Sequence, residues 1–214
     1  MKHITFYFDV ISPYAYLAFE RLPEALKGLS YRVTYQPVLF AGLLKHHGQL
    51  GPAEIEPKRS WTYRQVLWLA NELGIVMQLP AAHPFNPLSL LRLAVASNPE
   101  GLPNRYVTEK LFHHVWQGGQ DALDPLQMET LKDLLKPFLN PVGSDVKELL
   151  KTHTAAAIGK GVFGVPTFEV NGKLFFGLDA LPMLVAYLKR DNWFDSTAWD
   201  TVELIPKGST RFDK

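Results

Sequence analysis

Hydrophobic and polar positions alternate at the start of the chain. Ile4, Phe6 and Phe8 interleave with Thr5 and Tyr7, which predicts a strand over His3–Asp9. The period then changes. From Tyr14 to Lys27 apolar residues recur at helical spacing, and Gly28 closes the run. Ser12-Pro13, just before it, reads as an N-cap followed by proline at the first helical position. Tyr31–Leu39 is rich in β-branched and aromatic residues and predicts a second strand. A right-handed crossover makes the two strands parallel.

Strand signals vanish between Phe40 and about Lys160. Helical patterns cover Lys58–Gly74, Leu88–Ala96 (after the turn-rich His83-Pro84-Phe85-Asn86-Pro87) and Asn104–Gln117. Asp124-Pro125-Leu126-Gln127 has the form of a capping box that opens another helix. Asp145–Glu148 predicts a second box, with a helix over Val146–Gly159. Strand character returns at Thr167–Val170 and Leu174–Phe176, joined by the hairpin dipeptide Asn171-Gly172. Asp179 is placed to cap a last helix running to about Lys189, and the stretch from Asn192 onward shows no clear periodicity. The order β-α-β, helices, β-β-α predicts an α/β fold with one mixed sheet built from both ends of the chain. Residues 1–39 and 161–190 form the sheet domain, 40–160 an inserted all-helical domain, and 191–214 a C-terminal tail.

Composition narrows the chemistry. A chain of 214 residues can bury roughly 70% of its unfolded surface and needs no staples. It has no cysteine, which removes thiol catalysis by its own side chains and every Cys-ligated metal. The formal net charge is +1 and no basic stripe is visible, so neither nucleic acid nor a membrane surface is expected as a partner. The apolar start is short and broken by Asp9, and no later run is long enough to span a bilayer; a cytoplasmic location is expected. Glu109 and His113 stand at i, i+4 and two histidine pairs occur, but no H-E-x-x-H or comparable spacing does, and no metal site is predicted.

Two stretches, FDVISPYAYLA and GVFGVPTFEVNGKLFFG, resemble the DsbA-like thioredoxin-fold family, in particular its kappa-class glutathione transferases and its 2-hydroxychromene-2-carboxylate isomerases. The resemblance runs over residues 3 to 190. Ser12-Pro13-Tyr14-Ala15 stands where the C-P-x-C turn of thiol oxidoreductases opens the first helix, with Ser and Ala in place of both cysteines. A disulfide oxidoreductase is thereby excluded. The resemblance implies a thioredoxin-like mixed sheet, glutathione as cofactor and a possible homodimer. It makes Ser12 the catalytic residue beside the glutathione sulfur, with Pro13 and Tyr14 at the same helix start. A thiolate is favoured at a helix N-terminus, and a hydroxyl can donate to it. The resemblance further implies a cis Val165-Pro166 bond, with Val165 offering its backbone to the cysteinyl unit. Phe176, Gly177, Leu178 and Asp179 would then meet the γ-glutamyl end, Lys45 the carboxylate of a small aromatic substrate, and Phe85 and Asn86 the aromatic pocket. The match of Lys58 to a further cofactor-binding lysine is loose.

The implied reaction interconverts 2-hydroxychromene-2-carboxylate and trans-o-hydroxybenzylidenepyruvate, a step of naphthalene-type degradation, by thiolate addition to the conjugated substrate. Two other readings stand beside it: a kappa-like transferase or peroxidase, and a non-catalytic binding protein on the same fold. From the residues alone, Ser12 and Asp179 read as plain caps, Lys45 as a solvated lysine and Asn86 as a turn residue. The chain departs from its relatives at Ala180, where many carry Arg, and at His47-Gly48-Gln49, where a small residue, Gly and Asn are common.

Overall fold

Four strands form one mixed sheet: β1 (Lys2–Phe8), β2 (Tyr31–Pro37), β3 (Thr167–Val170) and β4 (Lys173–Phe176), ordered β2-β1-β3-β4. β1 runs parallel to β2 and antiparallel to β3, and β3 pairs antiparallel with β4. The structure is a computed structural model that describes residues 1–206 and 208. The helices are α1 (Pro13–Ala25), α2 (Phe40–His46), α3 (Glu56–Leu73), α4 (Leu88–Val95), α5 (Arg105–Trp116), α6 (Pro125–Leu135), α7 (Ser144–Gly159), α8 (Leu181–Leu188) and the short α9 (Ala198–Thr201). None of the described helices is long and apolar enough to cross a membrane.

The alternation in β1 sorts its side chains onto the two faces of the sheet. Ile4, Phe6 and Phe8 are fully buried on one face, beneath Tyr16 and Phe19 of α1 and Phe112 of α5. Phe6 stacks on Phe168 of β3 with ring centroids 4.9 Å apart, and these two residues are register partners. Tyr7 points the other way and joins Val38, Leu43, Ala157, Val162 and Val165 in a second cluster with α2 and α7. The main cluster runs without a break from the sheet through α1 into Val66 of α3, Leu90 of α4 and Leu111 of α5. Asn171 (φ +51°) and Gly172 (φ +79°) make the β3–β4 turn, as the dipeptide predicts.

Five details differ from expectation. Phe40–His46 is helical although its seven residues are too few to show a period. α7 begins at Ser144 with Gly143 as its N-cap and no side-chain cap, so Asp145 is not a capping residue. It lies inside the first turn, where a carboxylate still meets unpaired amides and the positive end of the helix. Asp179 does not cap α8 either: a 3₁₀ turn over Leu178–Ala180 intervenes and Ala180 is the N-cap, again without a side-chain bond. At α6, Asp124 Oδ1 accepts from Leu126 and Gln127 N–H, which is the Asp half of the expected box. Lastly, the stretch after Asn192 is held by aromatic contacts instead of periodicity. Phe194 and Trp199 lie 6.2 and 5.6 Å from the Phe175 ring. Residues 207 and 209–214 of the expected tail lie outside the described residues.

Because Phe168 fills the centre of the sheet from the late end of the chain, Phe168→Ala is expected to destabilise the fold by about 3–5 kcal/mol. Urea unfolding followed by tryptophan fluorescence reads this; a loss below about 1 kcal/mol would mean that the Phe6–Phe168 stack is not central to the core.

Candidate functional site at the start of the first helix

The chain leaves β1 through Asp9-Val10-Ile11-Ser12, and nearly every polar group of this turn has a partner. Ser12 N–H donates to Asp9 O at 3.1 Å. The Val10 carbonyl accepts from Trp116 Nε1 at 2.8 Å, and the Ile11 carbonyl takes His83 Nε2 at 2.8 Å. Asp9 has no solvent exposure; its Oδ1 accepts from Ile11 N–H at 3.1 Å and its Oδ2 from Phe40 N–H at 2.9 Å, the first residue of α2. Burial pushes the Asp9 carboxyl up to about 7, against the pull of the Phe40, Ile11 and Val10 amides.

Ser12 is buried and caps α1, accepting from Ala15 N–H at 3.2 Å. Its hydroxyl also donates to the Val165 carbonyl at 3.3 Å, across 153 residues of chain. The Val165–Pro166 bond is cis, as the resemblance implied, and so is His83–Pro84, which nothing in the sequence reading marked. Pro166 O accepts from Gly177 N–H at 2.9 Å, bringing the end of β4 to the same place. Gly177 has φ +97°, and a Cβ there would collide with Asp179 Oδ1. The Asp179 carboxylate thus folds over Gly177. Tyr14 is half-buried, and its hydroxyl donates to Gln65 Oε1 of α3 at 2.6 Å. Burial raises its pKa, and the charge of Asp179 adds to the effect. Leu178 and Ala180 pack on the main core. Phe176 is exposed, with its ring 4.5 Å from Phe163.

Ser12, Pro13, Tyr14, Val165, Pro166, Phe176, Gly177, Leu178 and Asp179 therefore converge from three segments. Phe85 reaches the same region through His83, whose ring centroid is 6.0 Å away. Two predicted residues are joined to them by no side-chain hydrogen bond or ion pair among the described residues. Lys45 is exposed in the last turn of α2 and makes no ion pair among the described residues. Asn86 is exposed and its Oδ1 accepts from Leu88 N–H at 3.1 Å, the turn that its residue type favours. Lys58 is exposed in the first turn of α3.

Sequence reasoning missed Asp9 and His83. Since a carbonyl only accepts, His83 carries its proton on Nε2 toward Ile11, leaving Nδ1 to face Tyr63 Oη at 2.8 Å. Burial lowers the pKa of this ring, and the Arg59 cation lowers it further. A carboxylate inside an apolar run was the one visible signal for Asp9. His83 had none beyond its turn.

A group that could occupy this place must suit its donors. Tyr14 N–H at the start of α1 and the N–H of buried Val165 find no acceptor among the described residues; Tyr14 follows Ser12 by two positions, and Val165 meets the Ser12 hydroxyl through its carbonyl. Two backbone donors and a hydroxyl at a helix N-terminus suit an anionic or peptide-like ligand, and glutathione is both.

The chain matches the family profile described as "DSBA-like thioredoxin domain" over residues 3–189. It is 30% identical over 206 residues to glutathione S-transferase kappa 2 of Caenorhabditis elegans, covering 87% of this chain and 92% of that protein. It is 28% identical over 197 residues to a 2-hydroxychromene-2-carboxylate isomerase of Sphingobium xenophagum, covering 87% of this chain and 98% of that one. A solved structure of a 2-hydroxychromene-2-carboxylate isomerase superposes with a TM-score of 0.75 at 21% identity, over 95% of this chain and all of that chain.

The Asp9 carboxyl gives a pH prediction. Its folded value of about 7 lies above the ordinary 3.8, so between these values the folded state holds a proton that the unfolded chain releases. Its contribution is most favourable below about pH 4 and is lost as pH rises through 7, a swing on the order of 4 kcal/mol. The difference in Tm between pH 5 and pH 8 is expected to be smaller in Asp9→Asn than in the parent. An identical difference in both proteins would show that Asp9 does not titrate in this window.

Proposed function

This chain belongs to the DSBA-like thioredoxin domain family, and we propose that it is a glutathione-dependent isomerase of 2-hydroxychromene-2-carboxylate and related aromatic carboxylates. The observation that carries the reading is the Ser12 hydroxyl, held at the start of α1 against the Val165 carbonyl of the cis Val165–Pro166 bond. The names of the relatives support it, since isomerases and kappa transferases both match over most of the chain.

Tyr14 N–H and Val165 N–H would hold the cofactor's backbone and sulfur end, and Asp179, folded over Gly177, would accept from its α-ammonium. When bound, glutathione supplies a thiolate whose addition to a conjugated carbon lowers the order of a C=C bond and permits rotation. Ser12 has the task of keeping that sulfur ionised. Its bond to Val165 is long at 3.3 Å, so the hydroxyl proton is readily redirected toward an anion. The positive end of α1 acts in the same direction. Lys45 would attract the substrate carboxylate from the exposed end of α2, and Phe85 would wall the aryl ring. The Asn86 carbonyl already serves its turn, which leaves only its NH₂ for a substrate.

A kappa-type transferase is the second reading, favoured by the 30% identity to the Caenorhabditis elegans protein. It uses the same sulfur-holding residues on a different electrophile.

Conversion of 2-hydroxychromene-2-carboxylate, followed spectrophotometrically with and without glutathione, tests the proposal. Glutathione-dependent turnover is expected, with kcat reduced about 10- to 100-fold in Ser12→Ala and its pH profile moved to higher pH. Turnover that does not need glutathione, or a Ser12→Ala enzyme with an unchanged profile, would end the sulfur-holding assignment. Glutathione binding without turnover, together with conjugation of a general electrophile, would select the transferase. Lys45→Ala is expected to raise KM for the carboxylate substrate about fivefold with kcat little changed; unaltered kinetics would return Lys45 to the solvated surface.

A further inference from the structure

A cavity lies where α2, α4 and α7 meet, and none of its lining residues belongs to the Ser12 site. It measures about 330 Å³, the lower part of the range for small-molecule sites. α7 lines it with Lys147, Leu150, Lys151 and Ile158, which share one face of the helix by their spacing. α4 adds Leu88 and Arg92, four residues apart. On α2, Gly42 lets the helix approach closely, since a Cβ there would stand 3.1 Å from Thr154 Cγ2.

The charges in this groove are unbalanced. Arg92 Nε is buried with no hydrogen-bond partner, and the guanidinium makes no ion pair among the described residues. Lys147 makes none either, and Lys151 reaches only the exposed Glu148, at 3.4 Å. Three cations thus face an apolar trough holding no carboxylate of its own. A guanidinium fork matches a carboxylate bidentately, and buried donors are normally satisfied.

We propose that this groove binds a small carboxylate with an apolar body. The carboxylate pairs with Arg92 under the added potential of Lys147 and Lys151, and the apolar body lies along Leu88, Leu150 and Ile158. The site is independent of the reading of Ser12.

Isothermal titration with octanoate, which has no conjugated carbon for the Ser12 site to act on, tests this. Saturable one-site binding is expected, equal in the parent and in Ser12→Ala and unaffected by saturating glutathione. Binding should weaken at least tenfold in Arg92→Gln and in Lys147→Gln/Lys151→Gln, and octanamide should not bind. Both lysines are exposed, so the double variant keeps the test intact even where Arg92→Gln disturbs the fold. Absence of saturable binding, equal binding by the lysine variant, or competition by glutathione would overturn the proposal. So would a dimer, seen by sedimentation, that octanoate dissociates and Arg92→Gln breaks, because the groove would then belong to a second copy of the chain.

Discussion

Asp9 accepts from Ile11 N–H with one oxygen and from Phe40 N–H with the other, and the starts of both α1 and α2 hang on those two bonds. Both oxygens act as acceptors, the arrangement that suits a carboxylate, while complete burial favours the neutral acid. The two effects leave the group near balance at neutral pH. A buried ionisable residue is tolerated when its partners are fixed in advance, and these are backbone amides with no rotamer to lose. The helical block braces the same turn from outside: Trp116 and His83 close the Val10 and Ile11 carbonyls with ring N–H donors. Ser12 therefore stands on a backbone held from three directions, the rigidity that the sulfur-holding role proposed for it would require.

Local signals with local causes were legible in the sequence. Ser12-Pro13 marks a helix start because the cap and its amide are three residues apart, and Asn171-Gly172 marks a hairpin because both residues accept positive φ. The alternation in β1 also survives, since one face of that strand meets the aromatic core. Failures occurred where distant chain decides. Asp145 and Asp179 have capping chemistry, but the neighbouring turns fixed each helix start a residue or two away, at Gly143 and Ala180. The seven residues of α2 are too few to display a period, and its first amide is claimed by a carboxylate 31 positions earlier.

The candidate site divides in the same way. Its members on FDVISPYAYLA and GVFGVPTFEVNGKLFFG could be named because two short stretches carry them. The bond from Ser12 to the Val165 carbonyl, the carboxylate of Asp179 lying over Gly177, and the His83 ring on the Ile11 carbonyl are products of tertiary contact. No spacing rule reaches them.

The bond between Ser12 and Val165 joins residues 153 positions apart, and β3 pairs with β1 across a still longer interval. On a ribosome, β1 is made early and its central neighbour late. At about 5–20 residues per second the wait is on the order of ten to thirty seconds. Throughout that time the edge of β1 that will receive β3 is unpaired, and the faces of Phe6 and Phe8 have only α1 and the growing helical block to cover them. The long insertion can thus also serve as a temporary shelter: α3 and α5, which pack on α1, are both synthesised before β3. Loss of that shelter would be felt first as misassembly of nascent chains, before any effect on the finished protein's chemistry.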